Sequence, residues 1–146
     1  MTLSIRTLAQ SDFDQWRDLW TDYLKFYETT VPDDTYAITF ARLLDVNRSN
    51  QNAFVAEQDR ELIGLVHYIY HPHNWRPEDV CYLQDLYAAP KARGTGVGRA
   101  LIEAVYQAAD SNGTPTVYWL TQDFNTAART LYDRIATVTP FIKYNR

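Results

Sequence analysis

Cysteine is nearly missing from this 146-residue chain. Cys81 is the only copy, so no disulfide can form within it and the fold has to be held by packing. Glycine occurs five times and proline six, with no linker, repeat or low-complexity tract. Basic charge is also short: 14 Lys and Arg stand against 18 Asp and Glu, a net charge of −4. A nucleic-acid binder needs a basic face, so that class is excluded, while a cationic substrate is compatible. Long hydrophobic runs are lacking too. No window approaches membrane-spanning length, and the opening "MTLSIRTLAQ" has no apolar core of a secretory leader. The expectation is a soluble, cytoplasmic protein with neither membrane nor nucleic acid as partner.

What is plentiful is apolar and aromatic. Hydrophobic residues make up 46% and aromatics 14%, with four Trp and eleven Tyr. That composition suits a packed globule, and 1–146 is read as a single domain. A surplus of amphipathic aromatics also suits a pocket for an organic ligand.

Periodicity divides the chain into alternating elements. "LSIRTL" reads as a strand, and Ser11, three residues before Asp14, reads as a capping-box start. Phe13, Trp16, Trp20, Tyr23, Leu24 and Tyr27 follow at helical spacing over Asp12 to about Tyr27. "VPDD" breaks that helix, and a second runs from about Thr35 to Asp45. Strands "NAFVAEQ" and "ELIGLVHYIY" are joined by a turn near Asp59-Arg60. A loop with His71, Pro72, His73 and Pro77 leads to the strand "DVCYLQDLYAA". Next comes a helix with Val97, Leu101, Ala104, Val105 and Ala108 on its buried face. The strand "TVYWLT", a helix from about Asn125 to Ala136 and a last strand around "PFIKY" complete the order. The pattern is a mixed α/β sheet, antiparallel at the hairpin steps.

"RGTGVGRALIEAVYQAA" concentrates three glycines before a helix. The nucleoside-triphosphate loop is excluded, because no Lys-Ser or Lys-Thr follows. A dinucleotide GxGxxG fits only partly, with Arg99 where the last glycine belongs and too little chain after Gly98 for a doubly wound sheet. Arg-x-x-Gly-x-Gly fits fully, as Arg93, Gly96 and Gly98. Bare glycines let backbone N–H groups converge on phosphate at a helix start, and Arg93 adds a charge-assisted contact.

On those residues the chain resembles the GNAT superfamily of acetyl-CoA-dependent N-acetyltransferases. "DLYAAPKARGTGVGRALIEA" is similar to its central strand, pyrophosphate loop and helix. Asn125, Ala128, Leu131 and Tyr132 match its late N-x-x-A-x-x-L-Y helix. More finely, "HYIYHPHNW" with the segments after it resembles the branch holding the yeast histone/polyamine and D-amino-acid acetyltransferases. Members of that branch end in a Gly-Phe-Ile-x-Tyr strand, where this chain has Pro140 in place of the glycine. The resemblance implies a twisted, mostly antiparallel central sheet with helices on both faces. It also implies acetyl-CoA as cosubstrate, no metal, and direct attack by a primary amine in a ternary complex. The acceptor would be a small molecule such as a polyamine or amino acid in preference to a protein lysine, and the enzyme a homodimer.

The resemblance also assigns residues. Arg93, Gly94, Thr95, Gly96, Val97, Gly98 and Arg99 would grip the cofactor. The backbone of Leu86, Tyr87 and Ala88 would pair with the pantetheine arm and stabilise the oxyanion. Tyr132 would protonate the leaving thiolate, although periodicity alone puts it on a buried stripe. Asn125 would contact the cofactor or cap its helix. Asp85, an acid in an apolar strand, counts by twos onto the side of Cys81, Leu83 and Tyr87. It could take the amine's proton directly or through water, hold the ammonium, or serve as a structural carboxylate.

His67, His71, His73 and Cys81 match no standard zinc spacing. His71 is a lining residue, an alternative base or a surface histidine. Cys81 could carry an acetyl group or simply fill space. Trp16 and Trp20 read as core or as walls for a cationic guest. A non-catalytic CoA-binding module and a dinucleotide-binding domain are the competing classes.

Overall fold

The computed structural model describes residues 2–146, and Met1 lies outside the described residues. The elements are β1 (Ser4–Thr7), α1 (Phe13–Phe26), α2 (Asp33–Leu44), β2 (Gln51–Gln58), β3 (Glu61–His73), β4 (Arg76–Ala88), α3 (Val97–Ser111), β5 (Val117–Tyr118) and α4 (Thr126–Ile135). Among the described residues the strands form one five-stranded sheet in sequence order. Neighbours from β1 to β4 run antiparallel, and β4 pairs with β5 in parallel. This is the expected mixed α/β architecture.

Each face of the sheet has its own core. The α1 face gathers Trp16, Leu19, Trp20, Leu24, Tyr36 and Phe40 over Val55, Leu65 and Tyr87. The opposite face packs Val97, Leu101, Ile102, Val105 and Ala109 of α3 over Ala56, Val66, Tyr68, Cys81 and Leu83. Burying these two stripes, each apolar at helical spacing, is the main force fixing the helices to the sheet. α4 joins the α3 side, where the Tyr106 hydroxyl donates to the Ile135 carbonyl at 3.0 Å. At Gly64, β3 runs so close to α3 that an added Cβ would stand 2.9 Å from Val97 Cγ1. No helix among the described residues is long and apolar enough to cross a membrane.

The turn at Asp59 and Arg60 is as expected. Both residues are left-handed, with φ of 53° and 64°, which a two-residue hairpin connection demands. Four other expectations change. Ser11 does not cap α1; it lies in a 3-10 turn, Gln10–Asp12. The Asp12 side chain closes that turn, accepting from the Ala9 N–H at 2.7 Å while holding Arg6 at 2.8 and 2.9 Å, and makes no capping bond to α1. Arg6 reaches Glu57 as well, so one guanidinium ties β1, the start of α1 and β2. The hydrogen bonds from Arg6 hold the Asp12 carboxyl below its usual range.

The segment around His71, Pro72, His73 and Pro77 is not a loop but the outer end of the β3–β4 hairpin, closed at Asn74 and Trp75. Its ladder is irregular between His71 and His73, and such irregular positions tolerate proline. "TVYWLT" contributes only Val117 and Tyr118 to the sheet. "PFIKY" is not a strand: residues 137–146 carry no regular structure. Pro140 offers no N–H for a ladder there.

Candidate active site

The site begins with a defect in β4. Tyr68 pairs with Leu83, and its neighbour His67 pairs with Asp85, so Gln84 is an extra residue bulged out of register. The bulge reverses the alternation of side chains. Cys81 and Leu83 belong to the α3-side core, whereas Tyr87 belongs to the α1-side core and Asp85 lies beside His67 on that face. The expectation that Asp85 shares a side with Cys81 and Leu83 is therefore corrected; it shares one with Tyr87 only. Counting by twos could not register an inserted residue.

The second feature is an opening. β5 pairs with β4 only at Cys81 and Tyr82. From Leu83 to Ala88 the outer edge of β4 has no neighbouring strand, although its other edge continues along β3. The stretch includes Leu86, Tyr87 and Ala88, and along it the described strands leave an edge that an extended ligand could join, with the Ala88 carbonyl held by Arg93 Nε at 3.3 Å.

Asp85 stands at this opening within a ring of tyrosines. Tyr23 of α1 and Tyr27, the residue just past its end, have ring centroids 5.0 Å from each other. Burial raises the Tyr23 phenol far above its ordinary range, and the charge of Asp85 adds to it. Burial likewise raises Tyr27, against a hydrogen bond with Thr121 and with a further push from Asp85. Tyr82 is raised by burial and then by Asp85, and it stacks on Tyr118 at 4.9 Å. On the far side, Tyr132 of α4 packs edge-on against Trp119 at 5.3 Å. Its phenol is pushed up to about 12, by burial first and by neighbouring Tyr27 second. Tyr27 thus feels the charge of Asp85 and in turn raises Tyr132, the two sequence-predicted side chains.

The glycine segment lies at the end of the same strand. Gly94 and Gly96 have φ of +77° and +90°, with nothing within 4 Å of an added Cβ at either. Gly96 is the N-cap of α3, and the first helical bond runs from the Ala100 N–H to the Gly96 carbonyl. The N–H groups of Val97, Gly98 and Arg99 are left without a partner inside the helix, at its positive end. The flanking side chains are engaged elsewhere. Arg93 lies over the Tyr87 ring at 5.6 Å and donates to the Ala88 carbonyl at 3.3 Å. The Thr95 hydroxyl donates to the Ala92 carbonyl, and Arg99 pairs with Glu103 at 2.8 Å. Asn125 is N-cap of α4 by position, but its side chain makes no capping bond. It donates instead to Thr121 Oγ1 at 3.3 Å.

The histidines divide. His67 is buried between Asp85 and Trp16. His71 Nε2 accepts from the Tyr118 hydroxyl at 2.8 Å, and its Nδ1 donates to the Pro72 carbonyl. His73 packs on Trp75, 5.4 Å between centroids. Sequence reasoning passed over His67, Tyr23, Tyr27, Tyr82 and Thr121 as site members. The available signal was chemical: tyrosines at two successive helical-face positions near the end of α1, and a histidine inside an otherwise apolar strand.

Sheet, opening and glycine-led helix together define an acyl-transfer fold, and the comparisons with known proteins agree. The acetyltransferase (GNAT) family model matches residues 13–136, and the chain belongs to that family. Among curated proteins it is 38% identical over 143 residues to the D-amino-acid N-acetyltransferase HPA3 of Saccharomyces cerevisiae, covering 97% of this chain and 89% of that one. It is 27% identical over 133 residues to the uncharacterized N-acetyltransferase YhfO of Bacillus subtilis, covering 90% and 87%. Among solved structures, AAC(6')-Iy in complex with the bisubstrate analogue CoA-S-monomethyl-acetylneamine shares the fold with a TM-score of 0.87 at 21% identity, covering 100% of this chain and 98% of that chain. The protein is an N-acetyltransferase, and acetyl transfer from acetyl-CoA follows from the family.

Proposed function

We propose that this enzyme moves the acetyl group of acetyl-CoA to the primary amine of a small molecule, amino acids first among the candidates, by direct attack within a ternary complex. The observation that carries this reading is the opening along β4, where the strand edge beyond Cys81 and Tyr82 has no described strand beside it and Asp85 lies within that stretch. The acceptor class is supported by the yeast relative. It is supported too by a lone carboxylate among tyrosines, a setting suited to an ammonium group.

In this reading the orphan N–H groups of Val97, Gly98 and Arg99 meet the pyrophosphate, with Gly94, Thr95 and Gly96 shaping the approach and Arg93 swinging from Tyr87 to add charge. The free edge at Leu86, Tyr87 and Ala88 pairs with the pantetheine arm, and its N–H groups receive the oxyanion. Asp85 takes a proton from the ammonium, directly or through water, so that the nitrogen lone pair can attack the thioester carbonyl. The carbon–sulfur bond then breaks, Tyr132 gives its proton to the departing sulfur, and the nitrogen's second proton, shed as the amide forms, returns through water to the Tyr132 phenolate. A phenol pushed up to about 12 is fully protonated at neutral pH, as that role requires. Asn125 holds Thr121 at the mouth. No metal takes part. The reading also takes the protein to be a cytoplasmic, single-domain homodimer, in which the exposed apolar side chains near the C-terminus are covered.

The test is thiol release from acetyl-CoA against D- and L-amino acids, spermidine, aminoglycosides and a lysine peptide. Turnover is expected on one small-amine class. Tyr132→Phe should lower kcat at least about a hundredfold while leaving the acetyl-CoA dissociation constant unchanged. Turnover only on the peptide would overturn the acceptor class, and an undiminished Tyr132→Phe would remove the acid from its role.

A further inference from the structure

Three side chains from three elements form a buried line on the α1 face. Trp16 Nε1 lies 3.0 Å from His67 Nε2, and His67 Nδ1 lies 2.8 Å from Asp85 Oδ2. Trp16 is wholly buried, and the His67 and Asp85 side chains are only 6% and 12% exposed. An indole nitrogen can only donate. His67 Nε2 is therefore the bare, accepting nitrogen, and Nδ1 carries the ring's hydrogen toward the carboxylate. Trp16 and Trp20 pack on the imidazole, at 5.9 and 5.6 Å between centroids, and keep it from turning. The bulge at Gln84 brings Asp85 into the line by turning it to this face.

Two consequences follow. Asp85 has Oδ2 committed to His67, which fixes the plane of its carboxylate. His67 has both nitrogens occupied, so it offers no lone pair to a proton arriving at Asp85. We propose that His67 is the positioning residue for Asp85, with its tautomer set by Trp16, and that it passes no proton onward. This rests on Asp85 receiving the acceptor's proton in the reading above. The other titratable groups facing Asp85 are Tyr23 from α1, Tyr27 just past its end and Tyr82 from β4, with Tyr132 of α4 coupled in turn to Tyr27. All four are raised above the ordinary phenol range, so they stay neutral near pH 7.

The experiment compares His67→Phe, His67→Asn, Trp16→Phe and Asp85→Asn with wild type in steady-state kinetics on the best amine of the panel. Nitrogen-15 NMR reads the His67 tautomer. His67→Phe should lower kcat about tenfold to a hundredfold through misorientation, with the acetyl-CoA dissociation constant unchanged. His67→Asn sets an amide N–H near the place of Nδ1 and should recover most of that loss. Trp16→Phe removes the N–H that pins Nε2, together with part of the indole ring, and the tautomer with Nε2 protonated should then gain population in its spectrum. The wild-type spectrum should show Nδ1 protonated and Nε2 bare.

A wild-type spectrum with Nε2 protonated would overturn the proposal. So would an Asp85→Asn that is dead beside a His67→Phe that works like wild type, and that result would leave the base reading standing. Full activity in both would instead sink the base reading, and this one with it. If His67→Phe does not fold, the wild-type and Trp16→Phe spectra still decide.

Discussion

Burial acts on Tyr132 and Cys81 in the same direction with opposite consequences. A phenol pushed up to about 12 keeps the proton it has to deliver, so no alkaline limb of kcat from Tyr132 should be seen below about pH 11. A thiol pushed up to about 11 keeps a proton that it would have to lose to act as a nucleophile. Cys81 is also wholly buried in the α3-side core. Native protein should resist iodoacetamide until it unfolds, and Cys81→Ala should hold kcat within about twofold while costing about 1–2 kcal/mol of stability. Rapid alkylation with loss of activity would revive an acetyl-cysteine route. Of the two acid–base candidates, Tyr132 was legible through the late-helix pattern, and Asp85 through being an acid in an apolar strand. Which way Asp85 faces was not legible, since a bulge at Gln84 leaves no compositional mark. Without that register His67 could not be paired with it.

Elements were legible where their own periodicity forms them and obscure where a partner does. α1 and α3 fall close to where the apolar spacing put them. The start of α1 is another matter, because no side chain caps it, and Asp12 at its N-cap position is held by Arg6, a contact between elements. That contact gives an acid-stability prediction. The folded carboxyl of Asp12 is lowered, so its contribution is present above the ordinary carboxylate range and is lost as pH falls through the folded value. Asp12→Asn should therefore cost about 1 kcal/mol at pH 7, and the gap from wild type in urea midpoints should close toward pH 2. A gap constant with pH would mean that the carboxylate's charge is irrelevant. The start of α3 separates two roles of glycine. Gly96→Ala forces a Cβ into φ +90° and should cost about 1–2 kcal/mol. Gly98→Ala meets only Leu131 Cδ2 at 3.6 Å, ordinary contact, so stability should be nearly unchanged. Its added methyl crowds the helix start, and acetyl-CoA affinity should fall about tenfold or more. Calorimetry with CoA checks both, and equal CoA affinity in Gly98→Ala and wild type would take the pyrophosphate off this helix.

For the molecule as a whole, the sheet and its two helical layers follow from hydrophobic pattern, and both could be read along the chain. The end could not be. A strand exists only against an edge that receives it, and "PFIKY" finds none in its own chain: β5 is two residues long, and Pro140 lacks the N–H a ladder requires. The last ten residues consequently leave Val138, Phe141, Ile142 and Tyr144 between 71% and 87% exposed. Leu120 and Phe124, just after β5, are more than half exposed as well. Apolar side chains grouped in this way favour burial against another surface, at roughly 25 cal/mol per Å². For the proposed homodimer, sedimentation should give twice the 17.0 kDa chain mass. Phe141→Asp with Ile142→Asp should yield a monomer whose thermal midpoint no longer depends on protein concentration, since neither side chain belongs to a core. A wild-type monomer across the micromolar range would sink the dimer and leave the tail's exposed side chains as a property of the single chain. Activity separates the two further. If the dimer shapes the acceptor site, the double variant should raise KM for the amine several-fold and spare the acetyl-CoA dissociation constant, because the glycine-led helix lies within one chain.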